Sequence, residues 1–236
     1  MARKMRWPVK FRNRQEAGRV VAARLGKYAH REDVLILGLP RGGVPVAYEV
    51  ATALGVPLDI FVLRKLGVPG HEELAFGAIG SGGVRILNAD ILDRLGITQL
   101  EIAAVTQEET KELERREMHY RGNRPPLNVL GRTVILVDDG IATGASIRAA
   151  IHAIRKMRPA AIVVATPVAP RTTCNLLRRE VDELVCAESP EPFYGVGQFY
   201  EDFSEVPDEV VVTMLDRALL QKQESKEGAA PVLAEI

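Results

Sequence analysis

The stretch Val134-Ile135-Leu136-Val137-Asp138-Asp139-Gly140-Ile141-Ala142-Thr143-Gly144-Ala145-Ser146 decides the fold. Four apolar residues read as a buried strand. They run into two adjacent carboxylates, and a loop of small residues then opens an amphipathic helix expected from about Ser146 to Met157. Strand, turn and helix in that order make half of a βαβ unit. The two glycines let successive backbone N–H groups converge, Thr143 and Ser146 add hydroxyls, and a helix N-terminus adds partial positive charge. That combination is a phosphate cradle. It is neither a Walker loop, since the lysine of GxxxxGK[ST] is missing, nor a dinucleotide GxGxxG. Asp138 and Asp139 repel phosphate but accept hydrogen bonds from hydroxyls and bind divalent cations. A sugar phosphate supplies both kinds of partner. The competing reading of the acid pair is a helix cap and turn former.

Working outward, the same alternation recurs. Val34–Leu39, Leu58–Leu63, Ala161–Thr166 and Val181–Val185 read as further strands. Helices are expected over Glu16–Tyr28, Val46–Leu54, Thr172–Arg179 and, with charges paired at helical spacing, Gln99–Arg121. The last of these reads as a charged, solvent-facing surface. Strands that are apolar throughout, separated by helices, predict an α/β fold with a parallel sheet covered on both faces. In such sheets the ligand site lies beyond the carboxyl ends of the strands. Three exits qualify: Pro40–Gly43, Arg64–Gly70 and Asp138–Ser146. Leu66–Gly83 holds six glycines and reads as a long flexible loop, with room for a short hairpin, that could act as a lid. Residues 11–218 are expected to form a single domain, between a basic arm at 1–10 and a disordered tail at 221–236.

Composition narrows the class. The chain has 236 residues, 47% hydrophobic and 26% charged, with Lys+Arg and Asp+Glu both 31. Zero net charge speaks against a nucleic-acid-coating or membrane-adhering protein. No apolar run is long enough for a membrane span and no secretory signal follows the basic arm, so a cytoplasmic protein is expected. Cys174 and Cys186 form no CxxC pair, which excludes a disulfide scaffold, and both read as small packed hydrophobes. His71-Glu72-Glu73 begins like a zinc-protease helix, but Ala75 stands where the second histidine is needed.

The thirteen residues from Val134 to Ser146 resemble the signature of the type I phosphoribosyltransferases, and Phe11 to about Ala218 is similar to a group of predicted members of that family. The resemblance implies that the donor is 5-phosphoribosyl-1-pyrophosphate (PRPP). Asp138 and Asp139 would then hold the ribose hydroxyls and Mg²⁺, while Gly140 and Ala142, Thr143, Gly144, Ala145 and Ser146 would surround the 5′-phosphate. Leu39-Pro40-Arg41-Gly42-Gly43 resembles the pyrophosphate loop, in which Pro40, Gly42 and Gly43 allow close approach and Arg41 meets the leaving group. Lys65 is a further cation for it, with a plain surface lysine as the alternative. Twelve aromatic residues occur in all, and five of them fall between Phe193 and Phe203. The resemblance makes this run a hood over the acceptor, with Phe193 and Tyr200 as stackers and Asp202 as a polar reader. A base stacked on an aromatic ring gains about 1–3 kcal/mol. A hydrophobic cap or a dimer contact is the other reading of the run. Expected partners are PRPP and a small-molecule acceptor, with no nucleic acid or membrane, and a homo-oligomer left open. Ala142 stands where the 6-oxopurine enzymes of the family carry an aspartate, which argues against hypoxanthine or guanine as acceptor. Two other readings keep the same cradle: a PRPP- or nucleotide-sensing protein without turnover, and a PRPP hydrolase.

Overall fold

The strands are β1 (Val34–Gly38), β2 (Leu58–Ile60), β3 (Leu63–Val68), β4 (His71–Gly80), β5 (Val84–Leu87), β6 (Thr133–Val137), β7 (Ala161–Val168) and β8 (Glu183–Glu188). The helices are α1 (Arg14–Ala22), α2 (Gly43–Leu54), α3 (Ala89–Leu95), α4 (Gln99–Arg121), α5 (Ala145–Lys156), α6 (Arg171–Leu177) and α7 (Asp208–Glu227). The structure, a computed structural model, describes residues 10–227. The basic arm expected at 1–10, apart from Lys10, and the last nine residues of the expected tail lie outside the described residues.

Five strands form the parallel sheet in the order β2-β1-β6-β7-β8. The pleat sends alternate residues to opposite faces, and both faces are dry. Ile36, Ile135, Val137, Val163 and Ala165 join a core with α1, α2 and α7. Leu37, Val134, Leu136, Ile162 and Val164 join a second core with α5 and α6. Burial on both sides explains why these strands show no polar alternation.

The segment read as a long loop is instead an antiparallel sheet, β3-β4-β5. Its glycines are of two kinds. Gly70, Gly82 and Gly83 have positive φ and turn the chain. Gly77 lies within a strand, where a Cβ would stand 2.4 Å from the Ile86 carbonyl oxygen. It permits close packing of β4 on β5. The second expected strand is likewise divided. It ends at Ile60, and Leu63 begins β3, with Ser81 bonded to the Val62 backbone at the junction.

Three helices differ from expectation. α3 was not foreseen; Asn88 caps it and Gly96, at φ 63°, ends it. The expected helix to Tyr28 stops at Ala22 and continues as a 3₁₀ turn over Gly26–Tyr28. α7 was not foreseen either; it runs through 221–227, which were expected to be disordered, and buries Val211 and Leu215 against the first core. α4 begins at a Thr98/Glu101 capping box. It is more than a charged surface: Ile102, Leu113 and Tyr120 are buried.

Candidate functional site

β1 and β6 are adjacent and parallel, so their exits lie side by side. The loop after β1 folds onto the loop after β6. The Leu39 N–H donates to the Val137 carbonyl at 2.9 Å, and the Pro40–Arg41 peptide is cis. Gly42 rests on the second acid, and a Cβ there would fall 2.1 Å from Asp139 Oδ2. Any larger residue would part the two loops.

The two acids have different surroundings. Asp138 is half-buried, and its Oδ1 accepts the Asp139 N–H at 2.9 Å. Burial pushes its carboxyl well above the ordinary aspartate range, and the neighbouring Asp139 charge adds to the shift. Asp139 is buried and ion-paired: Arg14 Nε donates to Oδ2 at 2.7 Å. Burial raises its pKa too, against the lowering by Arg14. Arg14 Nη1 also donates to the Ser204 carbonyl at 2.7 Å, and its guanidinium lies 4.0 Å from the centroid of Phe203. Arg14 was not singled out from the sequence. It stands 125 residues from Asp139, and no local signal links them.

A cavity of about 810 Å³ opens at these exits. Pro40, Asp138 and Ser146 face it from the core, Lys65 and Arg64 from β3, and Glu108, Glu109 and Arg116 from α4. Thus Pro40, Lys65, Asp138 and Ser146, expected from separate segments, meet at one cavity. Arg64 is paired with Glu109 at 2.6 Å, whereas Lys65 has no ion-pair partner among the described residues. Ala142, Thr143 and Ala145 are exposed on the loop entering α5, and Gly144 takes φ 81° as its N-cap. The Ala142 carbonyl accepts a hydrogen bond from Thr173 Oγ1 at 2.7 Å, which fixes the loop from behind.

Other expected residues lie elsewhere. Asp139 does not border the cavity; its carboxylate is turned to Arg14. Arg41 points away from it as well, pairing with Glu205 and standing 3.9 Å from Asp208. Tyr200 is no stacking platform. It is 4% exposed, with Phe11 and Phe203 against its ring and its hydroxyl donating to the Asp139 carbonyl at 2.6 Å. Burial raises its pKa, with the Asp139 charge adding to the shift. Phe193 is half-buried against Phe199. Asp202 is exposed and bonded to the Ser204 N–H and hydroxyl, which lower its pKa. Tyr194 is the most exposed aromatic of this run, at 87%, and Phe203 is exposed at 36%.

No group of three or more His, Cys, Asp or Glu able to hold a metal occurs among the described residues. The donor set at Asp138 still suits magnesium, which is often held by one or two carboxylates and takes its other oxygens from phosphates and water.

A parallel sheet with a small-residue loop, an acid and a lysine converging beyond its carboxyl edge defines an α/β domain with its candidate ligand site at that edge. The model of the phosphoribosyl transferase domain matches residues 12–203, and the chain belongs to that family. It is 44% identical over 208 residues to the Mycobacterium tuberculosis protein Rv0571c, named provisionally as a phosphoribosyl transferase. That match covers 88% of this chain and 47% of the relative, so the chain spans about half the length of the curated relatives it matches. It is 32% identical over 135 residues to the bifunctional protein PyrR of Chloroflexus aurantiacus, covering 53% of this chain and 64% of that one. The crystal structure of TT1426 from Thermus thermophilus superposes with a TM-score of 0.77 at 40% identity, over 88% of this chain and 98% of that one.

Proposed function

We propose that the chain transfers the phosphoribosyl group of PRPP to a nitrogen acceptor and releases pyrophosphate. The observation that carries this reading is that Asp138 and Ser146, the two ends of the cradle, face one cavity together with Pro40 and Lys65. Amides and hydroxyls of residues 140–146 take the 5′-phosphate. Asp138 accepts from the ribose hydroxyls and would hold Mg²⁺, which would supply positive charge to the pyrophosphate. Asp139 anchors the loop through Arg14 rather than gripping the sugar. As the C1′–O bond to pyrophosphate breaks and a C1′–N bond forms, positive charge develops on the ribose and negative charge on the leaving group. Lys65 faces that charge across the cavity. Arg41 reaches it by leaving Glu205 and Asp208, exposed partners that hold it weakly. For acceptor stacking, Tyr194 replaces Tyr200 beside Phe193, because its ring faces solvent.

The test is pyrophosphate release from PRPP and Mg²⁺ across a panel of nucleobases, with PRPP binding measured by calorimetry. Base-dependent release is expected. Release without a base would make the protein a hydrolase, and binding without release would make it a sensor. Absence of PRPP binding would overturn the reading.

A further inference from the structure

The fold brings together two cysteines that the sequence keeps apart. Cys174 lies on α6 and Cys186 on β8, and both are free thiols. Their sulfurs share one hydroxyl, with Ser189 Oγ 3.4 Å from Cys174 Sγ and 3.6 Å from Cys186 Sγ. Cys174 is 1% exposed, whereas Cys186 is half-buried and opens the pair to a small oxidant.

The thiols also act on each other. The neighbouring Cys186 thiol lowers Cys174 to about 6, and Cys174 with burial pushes Cys186 up, while the Cys186 thiol itself donates to the Glu188 carbonyl at 3.1 Å. A thiol that loses its proton readily, close to a second thiol, is the arrangement that favours disulfide formation.

The pair adjoins the phosphate loop. Thr173, next to Cys174, is the residue whose hydroxyl holds the Ala142 carbonyl. Its Cγ2 lies 3.1 Å from where a Cβ on Gly144 would sit. A shift of α6 by a fraction of an ångström therefore reaches the cradle.

We propose that Cys174 and Cys186 are a redox-active dithiol, oxidised by peroxides to an intramolecular disulfide that displaces α6 and loosens the phosphate loop. In the first step the Cys174 sulfur attacks hydrogen peroxide. An S–O bond forms, the O–O bond breaks, and the departing oxygen leaves as water with the thiol proton. In the second step the Cys186 sulfur displaces the hydroxyl from the sulfenic acid. An S–S bond forms, the S–O bond breaks, and a second water carries off the second thiol proton. Two thiols lose two electrons and two protons, and one peroxide is reduced to two waters. A disulfide needs its sulfurs about 2.05 Å apart, so α6 must move on β8.

The experiment treats the reduced full chain with hydrogen peroxide, alkylates the remaining thiols and maps the peptides by mass spectrometry. Hydrogen–deuterium exchange over 140–146 is followed in parallel. The expected result is a Cys174–Cys186 crosslink that dithiothreitol reverses, with reversible loss of amide protection over 140–146. Cys186→Ser should show neither change under peroxide; if that variant does not fold, reversal by dithiothreitol in the native chain is the control. Two free thiols after treatment, or sulfonic acids without a crosslink, would overturn the dithiol. A crosslink with unchanged exchange would overturn its link to the loop. Neither readout uses PRPP, so failure of the transferase reading and failure of this one are distinct results.

Discussion

Arg14→Ala is the perturbation that best separates this structure from a reading of the motif alone. It removes the 2.7 Å ion pair with Asp139, the 2.7 Å bond to the Ser204 carbonyl and the contact with the Phe203 ring. The paired side chains are only 12% and 13% exposed, so solvent screens the pair little. Removing one partner of a buried pair costs about 3–5 kcal/mol, mostly because the other charge is left unpaired. Asp139 can escape part of that cost by taking a proton, since burial already raises its pKa. The expectation is therefore the lower end, about 3 kcal/mol at neutral pH. For a domain of this size that lowers Tm by about 6–12 °C. The loss should shrink as pH falls, because a protonated Asp139 needs no cation. The assay is urea denaturation of wild type, Arg14→Ala, Asp139→Asn and the double variant. A coupling energy above about 1.5 kcal/mol is expected. Effects that add within about 0.5 kcal/mol, as for independent sites, would refute the reasoning.

The remaining predictions concern the same loops. Asp138→Asn should stabilise the protein at neutral pH while weakening PRPP binding. The folded-state pKa of Asp138 is raised above 3.8, so the native state binds the extra proton and stability falls as pH rises above that value. The gain from Asn should be present at neutral pH and vanish below 3.8; equal Tm at neutral pH would contradict it. Gly140→Ala places a Cβ 2.2 Å from Val196 Cγ1. It should cost about 1–3 kcal/mol by overpacking and disturb the 193–203 run, seen as a change in Tyr194 fluorescence or exchange; wild-type stability would refute the contact. Glu205→Gln removes a partner that is 74% exposed. Stability should be unchanged and PRPP affinity should rise about threefold, on the order of 0.6 kcal/mol, because Arg41 is released; calorimetry showing weaker binding would count against a role for Arg41.

The parallel sheet could be read from the sequence because its strands are apolar on both faces and end in turn residues. The turn from β6 into α5 could be read because small residues, hydroxyls and acids cluster there between an apolar strand and an amphipathic helix. What escaped was set by distance or by ambiguity. Gly77 looks like a loop residue until β3 and β5 are seen to crowd it, and Gly80 until Phe61 is seen against it. Tyr200 sits in an aromatic run that suggests a surface platform, yet its ring fills a small core with Phe11 and Phe199. α7 crowds its apolar residues into its first two-thirds and is polar after them, and only its packing on the first core shows which of them matter. Arg14 and the Cys174–Cys186 pair are tertiary coincidences, without periodicity or motif to announce them.

The pleat explains why two adjacent carboxylates cannot be assumed to do one job. Along β6, Ile135 and Val137 face the core shared with α1, whereas Val134 and Leu136 face the core shared with α5. Continuing that alternation past the strand end sends Asp138 to the side of α5 and Asp139 to the side of α1. Their partners agree. Asp138 faces the cavity with Ser146 of α5, and Asp139 meets Arg14 of α1. Gly42 then lies on Asp139 and brings the loop after β1 against the loop after β6. One acid is left open to the cavity, and the other holds together the two loops beside it. The anchoring acid has its cation built into the chain, which lowers its pKa against the raising by burial. The open acid has no such partner, and its burial favours a bound cation or a proton in that place. Adjacent aspartates of identical chemistry thus acquire separate roles from the period of a strand.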